Sequence, residues 1–176
     1  MQLKARKDVL PQFEHVVNGG TFDHLHAGHK LLLLASVVCS KESVTTGITG
    51  DEYLRNSSKK YKEYIQTFSQ RKSSVFEFYT LMKPSLEYKI YELSDPYGPS
   101  IVDPMLGCIV VSEETKKGGD AVNEKRKEKY LSTLQILVVD CIDSYSINPS
   151  QSSVDKKLSS THFRAIEAKK FEDRDK

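Results

Sequence analysis

Long apolar runs are what this sequence most conspicuously lacks. No stretch approaches the roughly 20 apolar residues that a membrane span requires. The N-terminal stretch MQLKARKDVLPQFEH has no apolar centre of the kind a secretory signal needs. Its Lys4, Arg6 and Lys7 hint at a mitochondrial leader, but Asp8 and Glu14 argue against one. Cysteine is scarce too. Cys39, Cys108 and Cys141 lie far apart with no CxxC spacing, each in or beside an apolar run. That pattern sets aside a CxxC-type site and is expected of reduced core thiols. A reducing, cytoplasmic compartment follows as the expectation. Charge of one sign is also missing: 26 basic against 24 acidic residues leave a net charge of +2. A whole-molecule attraction to nucleic acid or membrane is therefore not expected. No internal repeat is visible. The 176 residues suffice for one domain with a sizeable core. The expected organisation is a lead-in over residues 1–13, one domain over 14–170 and a charged tail over 171–176.

What is present is a regular alternation of short apolar strands and helical stretches. Strands are expected at 14–19, Ser43 to Ile48, Tyr88 to Leu93, Gly107 to Ser112 and Leu134 to Ile142. Gly107 to Ser112 is a continuous apolar run, as in a parallel strand buried on both faces. Helices are expected at 27–40, Phe68 to Met82, Glu114 to Tyr130 and from Ser160 to about Lys170. Pro84 stops the second of these, and Gly118-Gly119 is expected to break or delay the third. Asp51 to Lys62 is polar, a loop with a helical turn. Ser94 to Pro104 is a rigid Pro- and Gly-bearing loop, and Asp143 to Lys157 is a polar one. Five strand–helix alternations predict an α/β fold: a doubly wound sheet of about five parallel strands with helices on both faces. In such sheets ligands sit beyond the carboxyl ends of the strands, at the switch in strand order. Every unusual motif here falls just after an expected strand.

The first is the stretch Val16 to Leu34, VVNGGTFDHLHAGHKLLLL. It is a buried strand, a glycine turn and a helix whose first turn carries imidazoles. A helix N-terminus presents free N–H groups and a partial positive charge, which suit a phosphate. Gly19 and Gly20 allow a ligand to approach the backbone closely. His26 and His29 are three apart and share a helix face. Gly28 between them leaves a floor on which a base or ribose can lie. The Thr21 hydroxyl and N–H can hold a phosphate oxygen, or simply cap the turn. Asp23 is expected to order the turn, and His24 to lie at the surface. A metal site from His24, His26 and His29 lacks a carboxylate or thiol at coordinating spacing, so none is expected. On the third helix, Asn123 and Arg126 are three apart and can reach one ligand. Lys116, Lys117, Lys125, Arg126, Lys127 and Lys129 are interspersed with Asp120, Glu124 and Glu128, which fits a solvated helix rather than a nucleic-acid surface. Ser160 and Thr161 open the last helix, with Arg164 one turn on. Their N–H groups and hydroxyls suit phosphates.

The string GGTFDHLHAGHKLLL resembles the HxGH nucleotidylyltransferase superfamily, and within it the phosphopantetheine adenylyltransferases of eukaryotic type. Asp95 to Pro99 (DPYGP), the stretch VSEETKKGGDAVNEKR, and Leu158-Ser159-Ser160-Thr161-His162-Phe163-Arg164 against the superfamily's ISSTxxR extend the likeness over nearly all of residues 15 to 168. Lys59, Glu63, Ile65, Gln66 and Arg71 resemble a KxxxExIQxxxxR pattern, with Thr67 where the family usually has proline. The resemblance implies a Rossmann-like fold and ATP and 4′-phosphopantetheine as substrates, with Mg2+ carried by ATP. It implies that His29, Lys59 and His26 are catalytic, with Lys60 the fallback for Lys59. It places Gly20, His26, Gly28, His29, Glu113, Arg126, Ser159, Ser160, Thr161 and Arg164 around ATP, Ser112 and Thr115 on the nucleotide side, and Thr21, Lys59 and Asn123 at the acceptor. Related transferases acting on nicotinamide mononucleotide, or with CTP on a phosphocholine-like acceptor, are the nearest alternatives. A non-catalytic nucleotide-binding module is a more distant one.

Overall fold

The computed structural model describes residues 11–140 and 159–172. The lead-in before residue 11, Cys141, the expected polar loop over 143–157 and the end of the charged tail lie outside them. Ten principal elements follow in chain order: β1 (Phe13–Gly20), α1 (Ala27–Cys39), β2 (Ser40–Thr49), α2 (Asp51–Arg55), α3 (Phe68–Met82), β3 (Glu87–Leu93), β4 (Cys108–Ser112), α4 (Lys116–Glu128), β5 (Gln135–Val139) and α5 (Ser160–Glu172). The strands form one five-stranded sheet in the order β3-β2-β1-β4-β5, every neighbouring pair parallel. Val16 lies opposite Val44 on one side and Cys108 on the other. The order reverses at β1 and β4, and that is the switch point. This is the Rossmann-like doubly wound arrangement that the alternation predicts.

Alternation along each strand divides the core in two. Val16, Val44, Ile48, Cys108 and Val110 pack under Leu33 and Val37 of α1 and Val75 and Tyr79 of α3. Val17, Ile109 and Val111 face the other way, against Val122 of α4, Leu106 and Leu134. β4 is thus buried on both faces, as its unbroken apolar run requires. Within the first core, Asn18 Nδ2 donates to Ser36 Oγ and to Tyr79 Oη, both at 2.8 Å, and Tyr79 Oη lies 2.7 Å from Thr46 Oγ1. This network ties β1, β2, α1 and α3 beneath the glycine turn. Burial pushes the Tyr79 hydroxyl up and the Cys108 thiol up to about 12. Cys39 and Cys108 are both free and buried.

One local expectation changes, and two loops gain detail. Gly118-Gly119 does not break the helix: a short 3-10 turn, Glu113–Thr115, leads into α4, which runs through both glycines. Gly119 is buried against Ile136 and Val111, and a Cβ there would meet them at an ordinary contact distance of 3.5 Å. The connection from β3 to β4 contains a 3-10 turn, Gly98–Ile101. Gly98 has φ +48°, and a Cβ there would collide with Leu93. Thr67, where a proline was expected from the family pattern, is the N-cap of α3. It forms a reciprocal capping box with Gln70, which fixes where α3 begins. No helix among the described residues is long and apolar enough to cross a membrane.

Candidate active site

β1 ends at Gly20 and the chain enters α1 with His26 as its N-cap. No side chain caps the first turn of α1, and that turn carries no acidic residue. Its N–H groups therefore remain available to an anion. The His26 and His29 rings stack with centroids 3.9 Å apart. Phe22 packs against His29 at 5.4 Å. Neither histidine's Nδ1 has a hydrogen-bond partner among the described residues. Burial, with help from His26 and Lys59 and against Asp23, pushes His29 down to about 3. Burial likewise lowers His26, again against Asp23. Both rings thus favour the neutral form, with one nitrogen to donate and one to accept.

Lys59 follows α2 in the segment after β2. Its side chain is exposed by area, yet desolvation of its amine lowers its proton affinity. Arg164 and Arg71 act in the same direction, and Asp23 opposes them. The charge of Lys59 is therefore felt at His29, and that of Arg164 at Lys59. The segment is held from behind by Arg71, which is fully buried. Its guanidinium donates to the carbonyls of Gln66, Thr21 and Thr49 and to Asp51, all within 2.8 Å.

The third component is the start of α5. Ser159 Oγ accepts from His162 N–H at 3.4 Å. Ser160 Oγ donates to the Asp23 carbonyl at 2.7 Å. Arg164 Nη1 donates to Asp23 Oδ2 at 2.8 Å and Nη2 to Thr161 Oγ1 at 3.1 Å. The histidine loop, the Lys59 segment and the α5 N-terminus thus meet on one side of the molecule. Adjoining them at the carboxyl ends of β1 and β4 is a cavity of about 300 Å³. Gly19, Gly20, Thr49, Tyr97, Ile109 and Gly118 are among its walls. A somewhat larger cavity, about 370 Å³, opens between α2 and residues 62–67. The smaller one is where this strand order places a ligand.

No family model matches the chain. It is 39% identical over 165 residues to the phosphopantetheine adenylyltransferase of Saccharomyces cerevisiae, covering 94% of this chain and 52% of that protein. It is 36% identical over 156 residues to the phosphopantetheine adenylyltransferase of Pyrococcus abyssi, covering 89% of this chain and 92% of that protein. The chain belongs to the phosphopantetheine adenylyltransferase family. It spans about half the length of the yeast relative. A crystal structure of a protein of unknown function from Archaeoglobus fulgidus matches with a TM-score of 0.60 at 30% identity, covering 72% of this chain and 98% of that one.

Among the residues that the phosphopantetheine adenylyltransferase pattern singles out, the structure brings Gly20, Thr21, His26, Gly28, His29, Lys59, Ser159, Ser160, Thr161 and Arg164 to this one region. Two others turn away from it. Arg126 is fully buried, with Nε donating to the Ser132 carbonyl at 2.6 Å and Nη1 to those of Ser100 and Asp103 at 2.7 and 2.8 Å. Asn123 exchanges a pair of hydrogen bonds with the backbone of Leu134 at 3.0 and 2.7 Å. Both fasten α4 to neighbouring loops, so the expectation that they reach ATP or acceptor is corrected. Glu113 is exposed in the 3-10 turn after β4.

His24 is not a surface residue. Its side chain is 12% exposed, with Nδ1 2.9 Å from Asp23 Oδ1 and Nε2 3.1 Å from Glu167 Oε2. Its ring lies parallel to that of Phe163, 6.2 Å away. Asp23 orders the turn as expected, but it does more, because Gln66 and Arg164 share its carboxylate. Sequence reasoning passed over Tyr53, Leu93 and Val122 as cavity walls. Leu93, at the end of an alternating strand, was the one with a local signal. The DPYGP loop does shape the cavity: Asp95 Oδ1 accepts from Tyr97 and Gly98 N–H at 2.7 and 2.8 Å, and Asp95, Pro96, Tyr97 and Pro99 line the wall.

Proposed function

We propose that this chain transfers AMP from ATP to 4′-phosphopantetheine, giving dephospho-coenzyme A and pyrophosphate in coenzyme A synthesis. The observation that carries the reading is the meeting of uncapped helix N–H groups, neutral imidazoles and a lysine ammonium beside a largely apolar cavity. That combination suits two anionic phosphates, one of them attached to a neutral, amide-bearing arm.

No enzyme nucleophile is required. An oxygen of the acceptor phosphate attacks the α-phosphorus, the bond to the bridging oxygen of the leaving group breaks, and pyrophosphate departs with the electron pair. The task is to align two polyanions and to stabilise charge on the α-phosphate oxygens. His29 donates a hydrogen bond to an α-phosphate oxygen, and His26 shares that face. Lys59 bridges the acceptor phosphate and the α-phosphate. Thr21 and Gly20 hold the acceptor phosphate at the end of β1. The N–H groups of Ser160 and Thr161 receive the leaving pyrophosphate. The cavity beside Tyr97 and Leu93 takes the pantetheine arm.

Magnesium fits as an ion brought in by ATP. Among the described residues, no group of three or more His, Cys, Asp or Glu side chains is placed to hold a metal. As an ion carried by ATP it would take phosphate oxygens and water as ligands. When bound, it neutralises phosphate charge and orients the pyrophosphate. The cytoplasm is the compartment that free, buried Cys39 and Cys108 fit best.

The test is pyrophosphate release measured with each candidate acceptor. Release with ATP and 4′-phosphopantetheine, and little with nicotinamide mononucleotide or with CTP and phosphocholine, supports the proposal. Tight ATP binding without turnover on any acceptor would leave a nucleotide-binding module and defeat it.

A further inference from the structure

We propose that Asp23 is a positioning residue: through its buried pair with Arg164 it holds α5 and the Lys59 segment in register with the histidine loop. The inference rests on the adenylyl-transfer reading above, but it concerns residues that reading leaves without a part in the chemistry. It also gives Arg164 a different task from that of a direct ATP ligand.

The Asp23 side chain is fully buried. A buried carboxylate is costly unless it is paired and hydrogen-bonded. Asp23 uses each of its oxygens. Oδ1 accepts from Gln66 N–H at 2.9 Å, with His24 Nδ1 also 2.9 Å away. Oδ2 accepts from Arg164 Nη1 at 2.8 Å. Its main-chain carbonyl accepts from Ser160 Oγ at 2.7 Å. Gln66 closes a second link, its Oε1 accepting from His24 N–H at 2.8 Å. Each contact leads along the chain to a segment that carries a reacting group. Gln66 ends the segment that carries Lys59, and Ser160 and Arg164 stand on the first turns of α5. His26 is two residues beyond His24.

The backbone here is strained as well. Phe22 has φ +52° and His24 φ +48°, so Asp23 sits between two non-glycine residues in the left-handed region. Such conformations persist where surrounding contacts over-determine them, and they gather at functional sites. Arg164 is 3% exposed, and its Nε has no hydrogen-bond partner among the described residues. Its two terminal nitrogens are committed to Asp23 and Thr161. A guanidinium so placed acts on the substrates through what it holds. Asp23 also opposes the loss of protons from His26, His29 and Lys59. Its charge therefore favours the cationic lysine that the reaction needs.

The test compares the unaltered chain with Asp23→Asn, Arg164→Gln and the double variant, using pyrophosphate release, ATP affinity and denaturant midpoints. Displacing reacting groups by about 1 Å costs on the order of 10²-fold in rate. Each single change should therefore lower kcat about 10²-fold in folded protein, with a smaller change in KM. The double variant should be no worse than the weaker single one, because both changes undo one linkage. Arg164→Lys, which keeps the charge, should recover part of the rate. A lowered midpoint with normal kcat in folded Asp23→Asn protein would mean the pair is merely structural and would overturn the inference. So would multiplicative losses centred on KM for ATP, which would make Arg164 a direct phosphate ligand. If Asp23→Asn does not fold, Asp23→Glu replaces it: a folded variant slowed about 10-fold agrees with positioning, and one of unchanged kcat refutes it. If the unaltered chain binds ATP but serves no acceptor, the proposed function fails while this inference is still read in ATP affinity. A weakening by Asp23→Asn that the double variant does not deepen would then sustain it, and no weakening, or a multiplicative one, would end it.

Discussion

Arg126→Met separates a structural arginine from a nucleotide ligand. Methionine keeps the unbranched, apolar stem and removes the guanidinium. What is lost can be taken from the structure. Three hydrogen bonds to the carbonyls of Ser132, Ser100 and Asp103, at 2.6, 2.7 and 2.8 Å, disappear together. Each bond to a charged donor contributes about 1.5–3 kcal/mol, and of the three only the one to Ser100 is fully buried. Against this stands the relief of a buried cation whose Nη2 has no hydrogen-bond partner among the described residues. Desolvation of such a charge costs several kcal/mol, so it offsets part of the loss. The net expectation is a destabilisation of about 2–4 kcal/mol. With a urea m-value near 2 kcal/mol/M, the unfolding midpoint should fall by about 1–2 M. Folded Arg126→Met protein should retain its KM for ATP. An unchanged midpoint together with a raised KM would show that Arg126 meets the nucleotide, and the assignment made from its buried contacts would be mistaken.

Other outcomes follow from the same geometry. His29→Ala and Lys59→Ala should each lower turnover about 10²–10³-fold with the fold intact, as seen by circular dichroism; a folded His29→Ala variant of full activity would contradict its role. The kcat/KM profile should fall on the alkaline side at a pH below that of an ordinary lysine, because the Lys59 pKa is lowered and the cation is lost as pH rises through it. Lys59→Arg should move that limb to higher pH, and an unmoved limb would exclude Lys59 as its source. The same profile should show no acid limb from His29 above pH 5, since its pKa is near 3 and the ring is already neutral. Gly98→Ala, forcing a Cβ into Leu93 at positive φ, should cost about 1–3 kcal/mol in thermal or chemical unfolding. Thr67→Ala should remove the α3 cap and cost about 1 kcal/mol by the same measurement.

Much of this arrangement is legible in the sequence because it depends on local patterns. The apolar run Cys108 to Ser112 reads as a strand, and the helical spacing of Phe68 to Met82 ends before Pro84. The histidine loop is legible because glycines, threonine and paired histidines occur together in a strand–turn–helix setting. What was misread depends on the other side of a contact. Gly119, Val122 and Arg126 are all buried and follow helical spacing on α4. Asn123 adjoins that stripe. The spacing of Asn123 and Arg126 showed a shared face, but not that the face looks inward; Val122, four residues before Arg126, was the available sign. Gly118-Gly119 resembled a helix breaker because propensity favours that reading, and the packing of α4 on the sheet through Val122 overrode it. His24 looked exposed because Phe163 and Glu167, which cover it, lie far along the chain on α5. The cavity walls came from five separate segments with no common motif, so folding alone assembles them.

The most direct measurement is a crystal structure of the chain bound to dephospho-coenzyme A. The α-phosphate should lie against the first turn of α1 within hydrogen-bond reach of His29 and Lys59, with the pantetheine arm in the cavity beside Tyr97 and Leu93 and the adenosine toward α5. A ligand bound elsewhere, or seated there with His29 and Lys59 remote from its phosphates, would contradict the account.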